Sequence, residues 1–142
     1  MICAVLDTNV LLQAVIGSAQ AASARTLRAY RDGRFRLAFS LPTLEELHAV
    51  LSLPAMQNRH QWDDEQIRKH FNFLLANADF YPVTEPVSAV LARDVTDTKF
   101  LELAQQSQAR YLATNDRRHL LRLKHFHQTQ IVTPAEFLRR LT

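Results

Sequence analysis

Glycine and cysteine are scarce in this chain of 142 residues, which contains two glycines and one cysteine. The Gly-x-Gly-x-x-Gly turn of dinucleotide-binding proteins and the glycine-rich loop around a nucleotide phosphate each need several glycines in one segment, so both are excluded. The single cysteine, Cys3, excludes a disulfide framework and a metal site built from several cysteines. We interpret it as a small buried hydrophobic residue.

The chain also lacks long apolar runs, and none approaches the ~20 residues that a membrane-spanning helix needs. Its N-terminus has no basic region, and Asp7 interrupts the first apolar run too early for a signal peptide. Because 47% of the residues are hydrophobic, a disordered chain is excluded as well. The sequence predicts a single domain spanning residues 1–142, located in the cytoplasm and without a membrane partner.

Charge of one sign does not dominate, because 17 Lys and Arg residues oppose 14 Asp and Glu residues and leave a net charge of +3. A mildly basic protein is compatible with a nucleic-acid partner but does not require one. The basic residues are grouped, most visibly in residues 25–36 and 117–124. The acidic residues stand singly or in pairs at the boundaries of the predicted elements, and this placement is the first indication of a site.

Short apolar segments alternate with longer segments of helical periodicity along the chain. The predicted strands are residues 2–6, 35–39, 80–83, 110–114 and 131–132, and the predicted helices are residues 19–31, 41–53, 64–78, 87–93, 97–107, 115–124 and 134–141. The first strand is apolar throughout, as in parallel sheets that are covered on both faces. This order predicts an α/β fold with a mostly parallel sheet and helices on both of its faces.

Four acidic residues lie at or near the ends of these segments. Asp7 and Asp116 come after the first and fourth strands. Asp97 opens the helix that leads into the fourth strand, and Glu46 lies early in the helix after the second. Ligands of open parallel sheets bind beyond the carboxyl ends of the strands, so we expect the four carboxylates to meet at that edge.

Helix geometry favours two of these acids over their neighbours. Glu46 flanks the apolar stripe of its helix, whereas Glu45 points to solvent. Asp97 shares a helix face with apolar residues that are directed at the sheet. Each acid also has a purely structural interpretation, since Asp97 and Asp116 are good N-caps and Thr43 with Glu46 fits a capping box.

Carboxylates gathered without basic partners repel one another, and at least one of them takes a raised pKa. A divalent cation relieves this repulsion, and Mg²⁺ and Mn²⁺ prefer carboxylate and water oxygens. The set contains no soft ligand, which disfavours zinc. We therefore predict a Mg²⁺ or Mn²⁺ site formed by Asp7, Glu46, Asp97 and Asp116.

A basic amphipathic helix is predicted directly after the last of these acids. Its charged residues are Arg117, Arg118, Arg122 and Lys124, and its apolar residues are Leu120, Leu121 and Leu123. Phosphate contacts supply much of the affinity of nucleic-acid binding, so these cations can hold a phosphate backbone beside the metal. The alternative interpretation is an ordinary solvated helix face.

Four motifs resemble those of the PIN-domain nucleases and occur in the same order. They are VLDTNVLL at residues 5–12, LEELHAVL at 44–51, DVTDTKFLELA at 94–104 and YLATND at 111–116. The resemblance extends from residue 2 to about residue 138. It is strongest to the single-domain bacterial group described as toxins of toxin–antitoxin pairs (VapC-like).

The resemblance implies a three-layer α/β/α sandwich and a metal-dependent endoribonuclease that hydrolyses RNA phosphodiester bonds. The family's acids fall on Asp7, Glu46, Asp97 and Asp116, and its supporting polar residues fall on Thr8, Asn9 and Thr114. The sequence departs from the family at Val95, where proline is common, and at Asn115, where glycine is common. A protein antitoxin and a homodimer are further implied partners.

Two alternatives stay open from the sequence alone. One is a housekeeping RNA-processing nuclease without an antitoxin, and the other is a non-catalytic module that binds RNA or a protein. The complete set of four acids disfavours the non-catalytic module. An aspartate phosphatase is disfavoured because it needs a second aspartate two residues after the first, where this chain has Asn9.

Overall fold

The computed structural model describes residues 1–82 and 98–141. Its strands are β1 Cys3–Leu6, β2 Arg36–Phe39, β3 Asp79–Phe80, β4 Tyr111–Ala113, β5 His125–Phe126 and β6 Thr129–Val132. The described strands form one sheet in the order β3-β2-β1-β4-β6-β5. Every neighbouring pair is parallel except β5 and β6, which are antiparallel, so the predicted mostly parallel sheet is confirmed.

The helices cover both faces of this sheet. They are α1 Thr8–Ile16, α2 Ala22–Arg31, α3 Leu41–Leu51, α4 Pro54–His60, α5 Asp64–Leu75, α6 Thr98–Ser107, α7 Leu120–Leu123 and α8 Pro134–Arg140. One buried cluster joins one face of the sheet to α1, α2, α3, α5 and α8, and a second cluster joins the other face to α6 and α7. The expected three-layer α/β/α sandwich is confirmed.

Strand β1 lies at the centre of the sheet and alternates between the two cores. Ala4 and Leu6 belong to the first cluster, whereas Val5 belongs to the second. Both faces of β1 are therefore covered, which explains why its sequence is continuously apolar. Cys3, at the start of the strand, is only partly buried, whereas the sequence analysis expected it to be fully buried.

Several element boundaries differ from the sequence prediction. A helix begins directly after β1, at Thr8, whereas the sequence analysis placed the first helix at residues 19–31. Pro54, expected to end a helix, occupies the first turn of α4. Proline is tolerated there because the first N–H groups of a helix have no intrahelical partner.

The C-terminal third of the chain differs as well. The helix predicted for residues 115–124 is a turn followed by the short helix α7. Strands β5 and β6 form a hairpin of which only residues 131–132 were predicted. The helix predicted for residues 87–93 lies outside the described residues.

Within residues 1–82 and 98–141, no helix combines the length and the apolar character needed to cross a lipid bilayer.

Candidate active site

Asp7 is the first residue after β1, and the sheet determines where its side chain lies. Its backbone N–H donates to the Ala113 carbonyl over 2.9 Å, which continues the pairing of β1 with β4 by one residue. Asp7 is the N-cap residue of α1, but its side chain makes no capping hydrogen bond. The carboxylate is thus directed away from the conventional capping role and is available to the site.

Two neutral side chains donate hydrogen bonds to the carboxylate of Asp7. Thr114 Oγ1 donates to Asp7 Oδ2 over 2.7 Å, and Asn9 Nδ2 donates to the same oxygen over 3.2 Å. Asn9 Oδ1 in turn accepts the backbone N–H of Asn115 over 3.1 Å. These bonds connect the segment after β1 to the segment after β4, as expected for residues that hold the carboxylates in place.

The environment of Asp7 disfavours its ionised form. The pKa of Asp7 is raised to about 6, mainly by burial and to a smaller extent by the negative charges of Glu46 and Asp116. The hydrogen bonds from the Thr114 hydroxyl and the Thr8 backbone act in the opposite direction. The expectation of a raised pKa within the acid set is confirmed at Asp7, which is 6% exposed.

The N-cap of α7 is His119, so the alternative interpretation of Asp116 as a helix N-cap is wrong, although its side chain accepts backbone N–H groups in the turn before that helix. Its Oδ1 accepts the backbone N–H groups of Arg118 and His119, each over 3.1 Å. The imidazole of His119 also lies 3.5 Å from Asp116 Oδ2. Asp116 therefore organises the turn before α7, and its charge still reaches Asp7.

Glu46 does not cap its helix. The N-cap of α3 is Ser40, and Thr43 completes a reciprocal capping box with it. The alternative interpretation of Thr43 with Glu46 as a capping box is therefore wrong. Glu46 instead reaches across to α1, where the Thr8 hydroxyl donates to its Oε2. Because Ser40 and Thr43 cap the helix, the Glu46 carboxylate is not needed for capping and instead lines the cleft at the edge of the sheet.

Lys99 is a residue of this region that the sequence analysis missed. Its ammonium donates to Glu46 Oε1 over 3.1 Å. The expectation that the acids have no basic partner is therefore wrong for Glu46. The only signal in the sequence was a lysine two positions after Asp97, and on a helix such a lysine normally indicates a solvated face.

These side chains line a cleft of about 410 Å³ at the carboxyl end of the central strands. Its lining residues are Asp7, Thr8, Asn9, Leu12, Glu46, Val50, Phe100 and Asp116. The structure thus brings three of the four predicted acids to one cleft, whereas Asp97 lies outside the described residues. A larger cavity of about 540 Å³ between α1, α2 and α5 is lined without any acid, so size alone does not identify the site.

The sequence profile described as "PIN domain" matches residues 3–118, which is most of the chain. The chain belongs to the PIN domain family. Members of this family are generally nucleases. No curated protein sequence matches the chain at a significant level.

Two solved structures are similar to this PIN domain. The crystal structure of FitAcB from Neisseria gonorrhoeae matches with a TM-score of 0.64 and 19% identity, over 93% of this chain and 98% of that chain. The crystal structure of VapBC2 from Rickettsia felis, bound to a DNA fragment from their promoter, matches with a TM-score of 0.59 and 15% identity, over 92% of this chain and 97% of that chain. At these identities the similarity shows the fold.

The donor chemistry of this PIN domain fits a hard divalent cation. The cleft offers carboxylate, hydroxyl and amide oxygens, which Mg²⁺ and Mn²⁺ prefer. A cation would also offset the negative charges of Glu46 and Asp116 that disfavour ionised Asp7. Among the described residues, no three His, Cys, Asp or Glu side chains are already arranged as a metal-binding group. The acids are held by protein donors instead.

The basic segment beside the cleft is exposed. Its cations are Arg117 and Arg118 in the turn and Arg122 and Lys124 at α7, and all four are exposed. Arg117 and Arg118 directly follow Asp116, so they lie nearest to the acids along the chain. Leu120 is 1% exposed and belongs to the second core cluster. The apolar residues of the segment thus pack against the sheet of this PIN domain, and its cations remain at the surface.

Proposed function

We propose that this PIN domain is a metal-dependent endoribonuclease, acting as the toxin of a toxin–antitoxin pair. The observation that carries the proposal is the buried Asp7, held by Thr114 and sharing one cleft with Glu46 and Asp116. A carboxylate buried among like charges destabilises the folded chain, and a bound cation would offset this cost. Such perturbed carboxylates are typical of functional sites.

The proposed ligands of Mg²⁺ or Mn²⁺ are Asp7, Asp97 and Asp116, and Glu46 serves either as a ligand of a second ion or as the residue that orients the water. When bound, the cation lowers the pKa of its water and neutralises charge on the phosphate. Asn9 and Thr114 fix the direction of the Asp7 carboxylate, and Thr8 fixes that of Glu46. These contacts fix the orientation of the two carboxylates before a substrate binds.

The proposed substrate is RNA, bound through its phosphates at the basic segment. Arg117 and Arg118 extend from the turn that Asp116 organises, so a phosphate held there lies next to the cleft. Arg122 and Lys124 continue the positive surface along α7. Such contacts position the strand without reading its sequence.

The toxin assignment is supported by the structural similarity to FitAcB and VapBC2. The proposed partner is a protein antitoxin, and the proposed toxin is a single cytoplasmic domain of residues 1–142 that forms a homodimer. Co-expression with the protein encoded by the adjacent open reading frame tests this. Relief of growth inhibition supports a toxin, and growth that is normal without the neighbour favours a housekeeping nuclease.

Cleavage of single-stranded RNA by the purified protein tests the enzyme assignment. We expect cleavage with MnCl2 or MgCl2, none after addition of a chelator, and a loss on the order of 100-fold or more in Asp7→Asn. The matched control is Asp64→Asn, because Asp64 is an exposed aspartate in the first turn of α5, away from the cleft. Equal cleavage by Asp7→Asn and the wild type contradicts the proposal, and RNA binding without cleavage indicates a non-catalytic module.

A further inference from the structure

Two side chains hold the carboxylate of Glu46, one on each oxygen. The Thr8 hydroxyl donates to Oε2, and the Lys99 ammonium donates to Oε1 over 3.1 Å. Thr8 belongs to α1, Glu46 to α3 and Lys99 to α6, so three helices converge on one carboxylate. Glu46 is therefore positioned by the protein itself.

The pair of Lys99 and Glu46 is shielded from solvent. Their side chains are 26% and 20% exposed, respectively. Phe100, the next residue, is 2% exposed and anchors the first turn of α6 in the second core cluster. Because partial burial reduces screening by water and salt, this pair interacts more strongly than an exposed surface pair.

The charge of Lys99 changes what Glu46 can bind. A divalent cation on Oε1 would lie within a few Å of an ammonium group, and like charges at that distance repel. A carboxylate already neutralised by a lysine also attracts a further cation less. Asp7 differs in this respect, since the donors placed on its Oδ2 by Thr114 and Asn9 are neutral.

We propose that the ammonium group of Lys99 takes the place of a second metal ion in the candidate active site. The site then binds one divalent cation, at Asp7 and Asp116, and Glu46 acts as a positioning residue. This inference rests on the proposed function, because it concerns the cation site of that nuclease. It selects the water-orienting role for Glu46 over the role of ligand to a second ion.

Calorimetric titration with MnCl2 tests the number of cations. We expect one Mn²⁺ per chain for the wild type and for Lys99→Arg, which keeps the charge. Lys99→Met keeps the length of the side chain and removes the charge. We expect it to bind a second Mn²⁺, or to bind the first about tenfold more tightly, the factor by which a +1 charge about 6 Å away weakens binding of a +2 ion in water.

Glu46→Gln gives a second test, which does not depend on the folding of the Lys99 variants. If Glu46 is a positioning residue, this substitution removes only a nearby charge and lowers Mn²⁺ affinity by no more than about tenfold. Asp7→Asn removes a ligand as well as a charge, so we expect it to lower the affinity by about 100-fold or more. Circular-dichroism melts show which variants are folded. A merely structural role of Lys99 would change the melts and leave the Mn²⁺ stoichiometry as it is.

Each outcome decides the role of Lys99. The proposal is overturned if the wild-type chain binds two Mn²⁺ ions or if Lys99→Met binds Mn²⁺ as the wild type does. It is also overturned if Glu46→Gln and Asp7→Asn lose equal Mn²⁺ affinity. Failure of the proposed function looks different, because Asp7→Asn then binds Mn²⁺ as well as the wild type does. If no variant and no wild-type chain binds Mn²⁺, both proposals are overturned.

Discussion

The hydroxyl of Thr114 lies 2.7 Å from Asp7 Oδ2 and donates a hydrogen bond to it, although the two residues are far apart in the chain. The same hydroxyl oxygen accepts the backbone N–H of Asp116 over 3.0 Å. Thr114 is completely buried, so water does not compete for either bond. One side chain thereby fixes two candidate acids, which follow the neighbouring strands β1 and β4.

Replacement of Thr114 by valine removes this hydroxyl and keeps the shape of the side chain. Because the Thr114 hydrogen bond lowers the pKa of Asp7, we expect Thr114→Val to raise that pKa above its present value of about 6. The free energy of unfolding should fall by about 1–3 kcal/mol, the cost of a lost buried hydrogen bond. Titration of the Asp7 carboxyl carbon by NMR measures the first effect and thermal denaturation the second.

Thr129 provides a matched control for that experiment. It is 1% exposed, and its hydroxyl donates to the Ala109 carbonyl over 2.6 Å, away from Asp7. Thr129→Val should cost similar stability and leave the titration of Asp7 unchanged. A shift of the Asp7 pKa in both variants would mean that general loosening, and not the Thr114 hydroxyl, is responsible.

Asp7 itself should destabilise the metal-free protein at neutral pH. Its pKa is about 6 in the folded chain and near 3.8 in the unfolded chain, so the folded state binds a proton more readily between these values. The cost of ionised Asp7 is therefore absent below about pH 4, grows as the pH rises, and is complete above pH 6. At pH 7.5 it is on the order of 3 kcal/mol.

Asp7→Asn should accordingly stabilise the metal-free chain at pH 7.5, and this gain should shrink as the pH falls from 6 to 4. Urea denaturation of both proteins with chelator present, at several pH values, measures the difference. A gain that does not vary with pH would contradict the assigned cause. The same substitution should abolish cleavage, so stability and activity change in opposite directions.

The position of Asp7 could be predicted because the local pattern and the fold agree there. An apolar strand that is covered on both faces must lie in the centre of the sheet, and the residue after it must reach the carboxyl edge. Lys99 could not be found in this way. Its contact with Glu46 depends on how α6 packs beside α3, which no periodicity in either helix reveals.

The helices and strands whose bounds differ from the prediction also have identifiable physical causes. The segment from His125 to Gln130 shows no clear alternation of apolar and polar residues, so the β5–β6 hairpin gave no strand signal. Pro54 is compatible with the end of one helix and with the start of the next, and only the packing of α4 decides between them. Asp116 was interpreted either as a helix N-cap or as a candidate ligand, and its carboxylate accepts backbone N–H groups of the turn before α7 while also lining the cleft.

His70 should make the protein sensitive to acid. Burial lowers its pKa to about 4, and its ring lies 4.9 Å from that of Trp62. Within the described part of the chain, His70 Nε2 is buried without a hydrogen-bond partner. Between pH 6.5 and 4 the unfolded chain takes up a proton that the folded chain refuses, so stability falls as the pH falls through this window.

His70→Phe removes this linkage and keeps an aromatic ring beside Trp62. We expect the variant to lose less stability than the wild type between pH 6.5 and 4, by on the order of 2 kcal/mol after allowance for partial exposure. The control is His125→Phe, because His125 is exposed on β5. Parallel pH profiles for His70→Phe and the wild type, measured by urea denaturation, would refute the prediction.

Leu120 should contribute packing and not RNA affinity. It is 1% exposed within the second core cluster, so Leu120→Ala leaves a cavity and should cost about 2–5 kcal/mol of stability. Arg117→Ala should change stability by no more than about 0.5 kcal/mol, because the side chain is exposed. Thermal denaturation separates the two, and a comparable loss in both variants would give Arg117 a structural role.

The salt dependence of RNA binding tests the proposed path of the substrate. If Arg117 and Arg118 each contact a phosphate, replacing either by alanine releases fewer counterions on binding, and the slope of log K against log salt should become shallower by about 0.7 for each contact. The affinity should fall equally for RNAs of different sequence, because phosphate contacts do not read bases. The matched control is Arg68→Ala, since Arg68 is an exposed arginine on α5 whose side chain is 71% exposed. Unchanged slopes in Arg117→Ala and Arg118→Ala would make the turn after Asp116 an ordinary solvated surface, and the arginines of residues 25–36 would then be the next segment to test.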